Sequence, residues 1–126
     1  MKNCDKDLFC GVNKAENREP EKMDALEKKH TPVIEAPESV KKGEKFKVKV
    51  EVGKYKEHPN DHDHFIQFLE LYSGDTFLGR VDFTSEKTCP VVEFTVKMEH
   101  GHPLVAYEHC NMHGTWKSFE KDIKLE

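Results

Sequence analysis

No apolar run in the 126-residue chain approaches the roughly 20 residues of a membrane-spanning helix, which excludes a helical span on the sequence. The start, Met1-Lys2-Asn3-Cys4-Asp5, is followed by no apolar stretch of the secretory-signal kind, so the chain reads as soluble and cytoplasmic. Positive charge is not in excess. Lys and Arg number 20 against 24 Asp and Glu, and the formal net charge of −4 argues against a general nucleic-acid binder. Lys41, Lys42, Lys45, Lys47, Lys49, Lys54 and Lys56 do gather in one segment, but a solvated strand face accounts for them. Apolar residues are scarce as well, at 36% against 35% charged. Either the core is thin or part of the chain is unpacked, and the charged stretch over residues 11–30 points to the second. Repeats and low-complexity blocks are missing, and the length admits one domain rather than two.

Cysteine is sparse too. Four cysteines in a reducing compartment read as thiols or metal ligands rather than a disulfide framework. Cys4 and Cys10 have no second pair nearby to complete a four-ligand knuckle, so they read as free thiols on a loose tail. Cys89, before Pro90 on a turn, reads as a structural thiol. Residues 1–22 are therefore assigned to an irregular N-terminal extension and residues 23–126 to the folded domain.

What is present is period-two alternation. Met23 to Lys29 suits a short helical turn stopped by Pro32. After it, Phe46, Val48, Val50 and Val52 alternate with charged residues as a half-buried strand does. Phe65–Tyr72 is a more apolar strand, Gly74-Asp75 a turn, and Thr76–Thr84 its hairpin partner. Val92–Met98 alternates again. Leu104–His109 forms another strand, Phe119, Ile123 and Leu125 mark a last one, and Val33-Ile34-Glu35 is the candidate seventh. Turn signals at Lys42-Gly43, Ser73-Gly74, Cys89-Pro90 and Gly101-His102-Pro103 fit a sandwich. The fold class is all-β, an antiparallel seven-stranded immunoglobulin-like β-sandwich.

Histidine is plentiful, at eight residues. Cys110 and His113 are three apart, so one turn can bring a sulfur and an imidazole to one metal. His58 lies in a loop, His64 leads into a strand, and His30 precedes Thr31-Pro32, where proline favours extended backbone. In a sandwich these segments can open at one end. His62, His100, His102 and His109 read as ordinary solvated side chains.

Three segments together resemble the superoxide reductase family of neelaredoxins and desulfoferrodoxins. Lys29-His30-Thr31-Pro32-Val33-Ile34 is similar to the family's E-K-H-x-P-V-I motif. His58-Pro59-Asn60-Asp61-His62-Asp63-His64-Phe65-Ile66 is similar to its H-P-x(4)-H-x-I segment, and Cys110-Asn111-Met112-His113-Gly114-Thr115-Trp116 to its C-N-x-H-G-x-W ending. The resemblance spans residues 23–126. It implies one iron ion (Fe2+/Fe3+) per chain, with His30, His58, His64 and His113 equatorial and Cys110 axial. It also implies one-electron reduction of superoxide to hydrogen peroxide at the open position, and rubredoxin or a similar small iron protein as electron donor. A homo-oligomer, dimer or tetramer, is implied with these.

Lys29 matches the family's lysine beside the open site, where an ammonium attracts superoxide and orients a proton-donating water. The family's glutamate, a sixth ligand to ferric iron, stands two residues before the first histidine. Here that position is Lys28, and Glu27 lies one residue further back. Either Glu27 reaches in through a shifted loop, or the oxidised site takes water or hydroxide, which is the favoured reading. Two-iron members carry a four-cysteine iron domain at the N-terminus, of which Cys4 and Cys10 would be a remnant. The competing class is a non-catalytic metal-binding or electron-transfer module. Blue copper fits poorly, because no methionine follows His113 and the further histidines are superfluous.

Overall fold

Alternation organises most of the chain into strands, and shorter pieces join wherever a sheet edge offers partners. In the computed structural model, which describes residues 7–126, the elements in order are β1 (Val12–Asn13), a 3-10 turn (Pro20–Lys22), α1 (Ala25–His30), β2 (Val33–Glu35), β3 (Ser39–Val40), β4 (Phe46–Glu51) and β5 (Ile66–Ser73). They continue with β6 (Thr76–Asp82), β7 (Val91–Val96), β8 (Leu104–Cys110), β9 (Gly114–Lys117) and β10 (Lys124–Leu125). Among the described residues no helix is long and apolar enough to cross a membrane.

Five strands form one sheet in the order β1-β9-β8-β5-β6, three form another as β2-β4-β7, and β3 pairs with β10. The buried faces meet between the sheets. Val48 and Val50 of β4, Leu69 and Leu71 of β5, and Leu104 and Ala106 of β8 belong to one apolar cluster. Each large aliphatic side chain removed from water there stabilises the fold by roughly 1.5–3 kcal/mol. The hairpin between β5 and β6 closes through Gly74 at φ 56°, the positive value that a two-residue turn with glycine at its first central position requires.

This is the expected all-β sandwich, with three corrections. Among the described residues ten strands replace seven, because β1 and β3 have two residues and β9 four, too short to show alternation. Two of the pairings, β1 with β9 and β10 with β3, are parallel. Most important for the site, Gly114–Lys117 is a strand, whereas the last strand expected over Phe119–Leu125 shrinks to Lys124–Leu125.

The N-terminal segment is not loose. Val12 and Asn13 extend the five-stranded sheet, and Asn13, Ala15 and Met23 are buried. The Asn13 amide donates to the carbonyls of Leu8 and Thr115, both at 2.9 Å, locking the segment onto β9. Arg18 lies over the Phe119 ring, 4.8 Å from its centroid. Cys10 is disulfide-bonded rather than a free thiol, while Cys4 lies outside the described residues. Cys89 is free and exposed, and Cys110 is free and buried.

Candidate metal centre

Three segments deliver the donors. Helix α1 ends on His30, which is 1% exposed. The helix starts where it does because Asp24 caps it: the Asp24 carboxylate accepts from the Glu27 N–H at 2.8 Å, and Glu27 returns the contact to the Asp24 N–H at 3.0 Å. The Asp24–Glu27 spacing was a readable capping signal in the sequence. It has a consequence for Glu27, whose second oxygen accepts from the Glu16 N–H at 3.2 Å. The Glu27 carboxylate is thus held by two backbone N–H groups at the start of α1, and it does not join the donor cluster.

The second segment is the loop from His58 to His64. Asp61 and His64 bridge each other through both backbone N–H groups, which folds the loop into a tight turn ahead of β5. The third is the turn between β8 and β9. Cys110 ends β8, His113 follows three residues later, and Gly114 opens β9 at φ 81°. Asn111 ties the second and third segments together. Its amide donates to the Asp63 carbonyl at 2.8 Å, and its side-chain oxygen accepts from the Phe65 N–H at 2.9 Å, gripping the chain on either side of His64.

The result is a ring of imidazoles. His30 lies 4.7 Å from His58 between ring centroids, His58 4.9 Å from His64, His64 5.0 Å from His113, and His113 4.9 Å from His30. The cycle closes. The Cys110 sulfur sits 3.7 Å from His113 Nδ1, and one donor atom from each of the five residues lies within 4.8 Å of all the others. His62, His100, His102 and His109 stay outside; His109 faces the other side of the sheet, against Phe68 and Thr115.

Hydrogen bonds orient the rings. His30 Nδ1 donates to the Leu26 carbonyl at 2.7 Å and His58 Nδ1 to the Pro59 carbonyl at 2.6 Å, which leaves each Nε2 free as an acceptor. Those two Nε2 atoms are 3.1 Å apart. Adjacent ligands on a metal with bonds of about 2.1 Å would stand roughly 3 Å apart, so the spacing fits a shared ion. His64 Nε2 is buried without a protein partner, a costly arrangement that an ion would relieve. Trp116 braces the ring, stacking on His30 at 5.2 Å and donating from Nε1 to the His113 carbonyl at 3.1 Å.

The electrostatics suit a cation. Burial lowers the pKa of His30 to about 3 and that of His58 to about 4, and it lowers His113 too. All three therefore stay neutral and ready to donate a lone pair. The Lys29 ammonium helps depress His58 and His113, which puts its charge beside the cluster. Burial pushes the Cys110 thiol up to about 11, against the pull of the Met112 and His113 N–H groups directed at its sulfur. A metal would displace that proton.

One residue escaped the sequence reading. Glu108 is fully buried on the inward face of β8, two residues before Cys110, and neither carboxylate oxygen has a protein partner. Burial raises its pKa well above the ordinary range, so it is held as a neutral acid. The alternation Leu104, Ala106, Glu108, Cys110 was the signal that would have placed it inside.

A β-sandwich whose turns bring four imidazoles and one sulfur to a single point defines a class, a mononuclear metal site with a mixed nitrogen and sulfur donor set. Comparison with known proteins narrows it. The chain belongs to the desulfoferrodoxin family, whose model matches residues 22–119. A superoxide reductase of Pyrococcus furiosus is 38% identical over 116 residues, covering 78% of this chain and 89% of its own. A neelaredoxin of Megalodesulfovibrio gigas is 35% identical, covering 71% and 83%. The solved structure of superoxide reductase (neelaredoxin) from Ignicoccus hospitalis is similar with a TM-score of 0.78 at 38% identity, covering 98% of this chain and all of that one.

Proposed function

We propose that this chain is a superoxide reductase. It carries out one-electron reduction of superoxide to hydrogen peroxide at a mononuclear non-haem iron held by His30, His58, His64, His113 and Cys110. The observation that carries the reading is the closed cycle of four imidazoles with the Cys110 sulfur beside it. Iron bound there would supply the single electron, and the thiolate would make it electron-rich.

The chain's own residues do the rest. The carbonyls of Leu26 and Pro59 fix the tautomers of His30 and His58, so that both present Nε2. Asn111 holds His64 against the Cys110–His113 turn. Lys29 supplies local positive charge in a chain of net charge −4, drawing in the superoxide anion and orienting a water that donates protons. Two protons and one electron convert superoxide to hydrogen peroxide. Both Glu27 oxygens are engaged at the start of α1, so a metal held by the five donors would take any further ligand from water or hydroxide rather than from Glu27.

Rubredoxin or a similar small iron protein returns the electron. The protein works in the cytoplasm as a homo-oligomer, without nucleic acid or membrane partners. The test is direct. Protein produced with ample iron should hold about one iron per chain, and its oxidised form should show a thiolate-to-iron charge-transfer band in the visible. Superoxide should oxidise the ferrous form and yield hydrogen peroxide without oxygen. Absence of iron, a copper spectrum, or a ferrous form inert to superoxide would sink the proposal.

A further inference from the structure

Among the described residues one side chain other than glycine takes a positive φ, that of Glu86 at 67°. It is exposed and lies in the connection between β6 and β7, distant in sequence from every donor. The Lys87 N–H donates to the Thr84 carbonyl at 3.1 Å. Glu86 is therefore the third residue of a tight turn, where a positive φ ordinarily calls for glycine. A residue with a Cβ keeps such a conformation only where its surroundings hold it there.

Part of what holds it comes from the loop that carries His58 and His64. The Glu86 N–H donates to the Asn60 side-chain oxygen at 2.7 Å, and the Asn60 amide donates to the Thr88 carbonyl at 3.2 Å. One side chain thus uses both its acceptor and its donor on the backbone of the turn. The turn is a firm anchor. On one side the Phe83 N–H donates to the Gln67 carbonyl of β5 at 2.9 Å, and on the other the Pro90 carbonyl accepts from the Val52 N–H, next to β4, at 3.0 Å.

The place of Asn60 in the loop decides what this anchor does. His58 and His64 are neighbours in the cycle of imidazoles, and each end of their loop is shaped locally. The His58 ring bonds to the Pro59 carbonyl, and Asp61 pairs with His64 through the backbone. Asn60 stands between these two contacts. Asn111 grips the His64 end from the β8–β9 turn, and Asn60 grips the chain beside His58 from the opposite side. We infer, resting on the metal centre proposed above, that Asn60 is a positioning residue: by pinning the His58–His64 loop to the turn at Glu86, it sets where His58 stands towards His30 and His64.

Cobalt(II) is the probe for the test, because its d–d bands follow the ligand geometry while a thiolate charge-transfer band reports Cys110 separately. Asn60→Ala should lower cobalt affinity about 10- to 100-fold in competition with a chelator. Its d–d bands should shift while the thiolate band persists, since Cys110 lies on another segment. Asn60→Asp keeps the acceptor for the Glu86 N–H and loses the donor to Thr88, so its affinity should fall between Asn60→Ala and the native chain. Glu86→Gly relieves the positive φ and leaves the N–H in place, so it should bind cobalt as the native chain does. Native affinity and native bands in Asn60→Ala would overturn the assignment. Should Asn60→Ala lose the sandwich by circular dichroism, Asn60→Asp decides instead, and native values there would overturn it equally. A native chain that binds no cobalt at the thiolate would overturn the metal centre and the pin together. A ferrous form inert to superoxide, in protein that passes the cobalt tests, would sink the reductase reading alone.

Discussion

His30 and His58 are buried imidazoles whose neutral form the fold selects, and this ties the stability of the metal-free protein to pH. Their pKa values are about 3 and about 4 in the fold, against an ordinary value of about 6.5 when unfolded. Between those limits the unfolded chain binds more protons, so the stability that each histidine contributes above about pH 6.5 is lost as pH falls. At pH 5 the loss is about 2 kcal/mol for each group. Glu108 works in the opposite sense: its raised pKa gives stability that is present at low pH and lost as pH rises. Thermal melts of chelated protein should separate the two. Glu108→Gln should be more stable than the native chain at pH 8 and should show the acid loss from His30 and His58 undiluted. Melts of the variant that coincide at pH 8 and pH 5 would contradict the burial argument. In the proposed reaction Lys29 would act through its field instead. Lys29→Ala should slow superoxide capture about 3- to 10-fold at low salt and flatten the dependence on ionic strength. Pulse radiolysis showing unchanged capture would remove Lys29 from the mechanism.

The turn between β8 and β9 is the element on which the cluster depends, because it carries two donors and contacts both other segments. Gly114 sits at φ 81°, and a Cβ there would lie 2.1 Å from the Leu8 carbonyl oxygen. Gly114→Ala must therefore push the N-terminal segment off β9 or distort the turn below His113. A destabilisation of about 2–4 kcal/mol is expected, with weakened metal retention, measurable by denaturant unfolding and metal competition. Asn111→Ala removes the grip around His64 and should cost roughly 10- to 100-fold in metal affinity while the sandwich persists; unchanged affinity would show that the loop holds His64 without help. The donors themselves were legible in the sequence, since their types, spacings and order match a family pattern, and the alternation in β4 and β7 with the apolar run of β5 pointed to the sandwich. What sequence could not give is a set of elements with no local signal. β9 has four residues and β1 two; β9 forms on the edge that β8 presents, and β1 on the edge that β9 then presents. The burial of Asn13 likewise reflects a contact with Leu8 and Thr115 rather than any pattern around residue 13. The second contact of Glu27, with the Glu16 N–H, likewise has no signal in the pattern around residue 27, whereas its first follows the Asp24–Glu27 capping spacing.

At the scale of the whole molecule, the fold fixes the protonation of the centre before any metal arrives, and a proton inventory can read this. Of the five donors His30, His58 and Cys110 are buried, while His64 and His113 are half-buried at the open side of the site. Within it His30, His58 and His113 are held neutral and Cys110 is held as a thiol with a pKa of about 11. Anaerobic titration with ferrous iron in weakly buffered solution should therefore release close to one proton per iron at pH 9, nearly all of it from Cys110. A thiol at the ordinary value of about 8.5 would already be mostly ionised at that pH and would release only about a quarter of a proton. At pH 6 the two kinds of site separate on the imidazoles. Exposed histidines would each add about 0.8 of a proton, whereas His30 and His58 should add almost none. Release of about one proton at pH 9, with the shortfall from His30 and His58 at pH 6, would mean that the empty fold already holds these imidazoles in their neutral, binding form and gives up only the Cys110 proton to the metal. Release of only a quarter of a proton at pH 9, or of nearly four at pH 6, would mean that the donors titrate as exposed groups and are gathered by the metal itself.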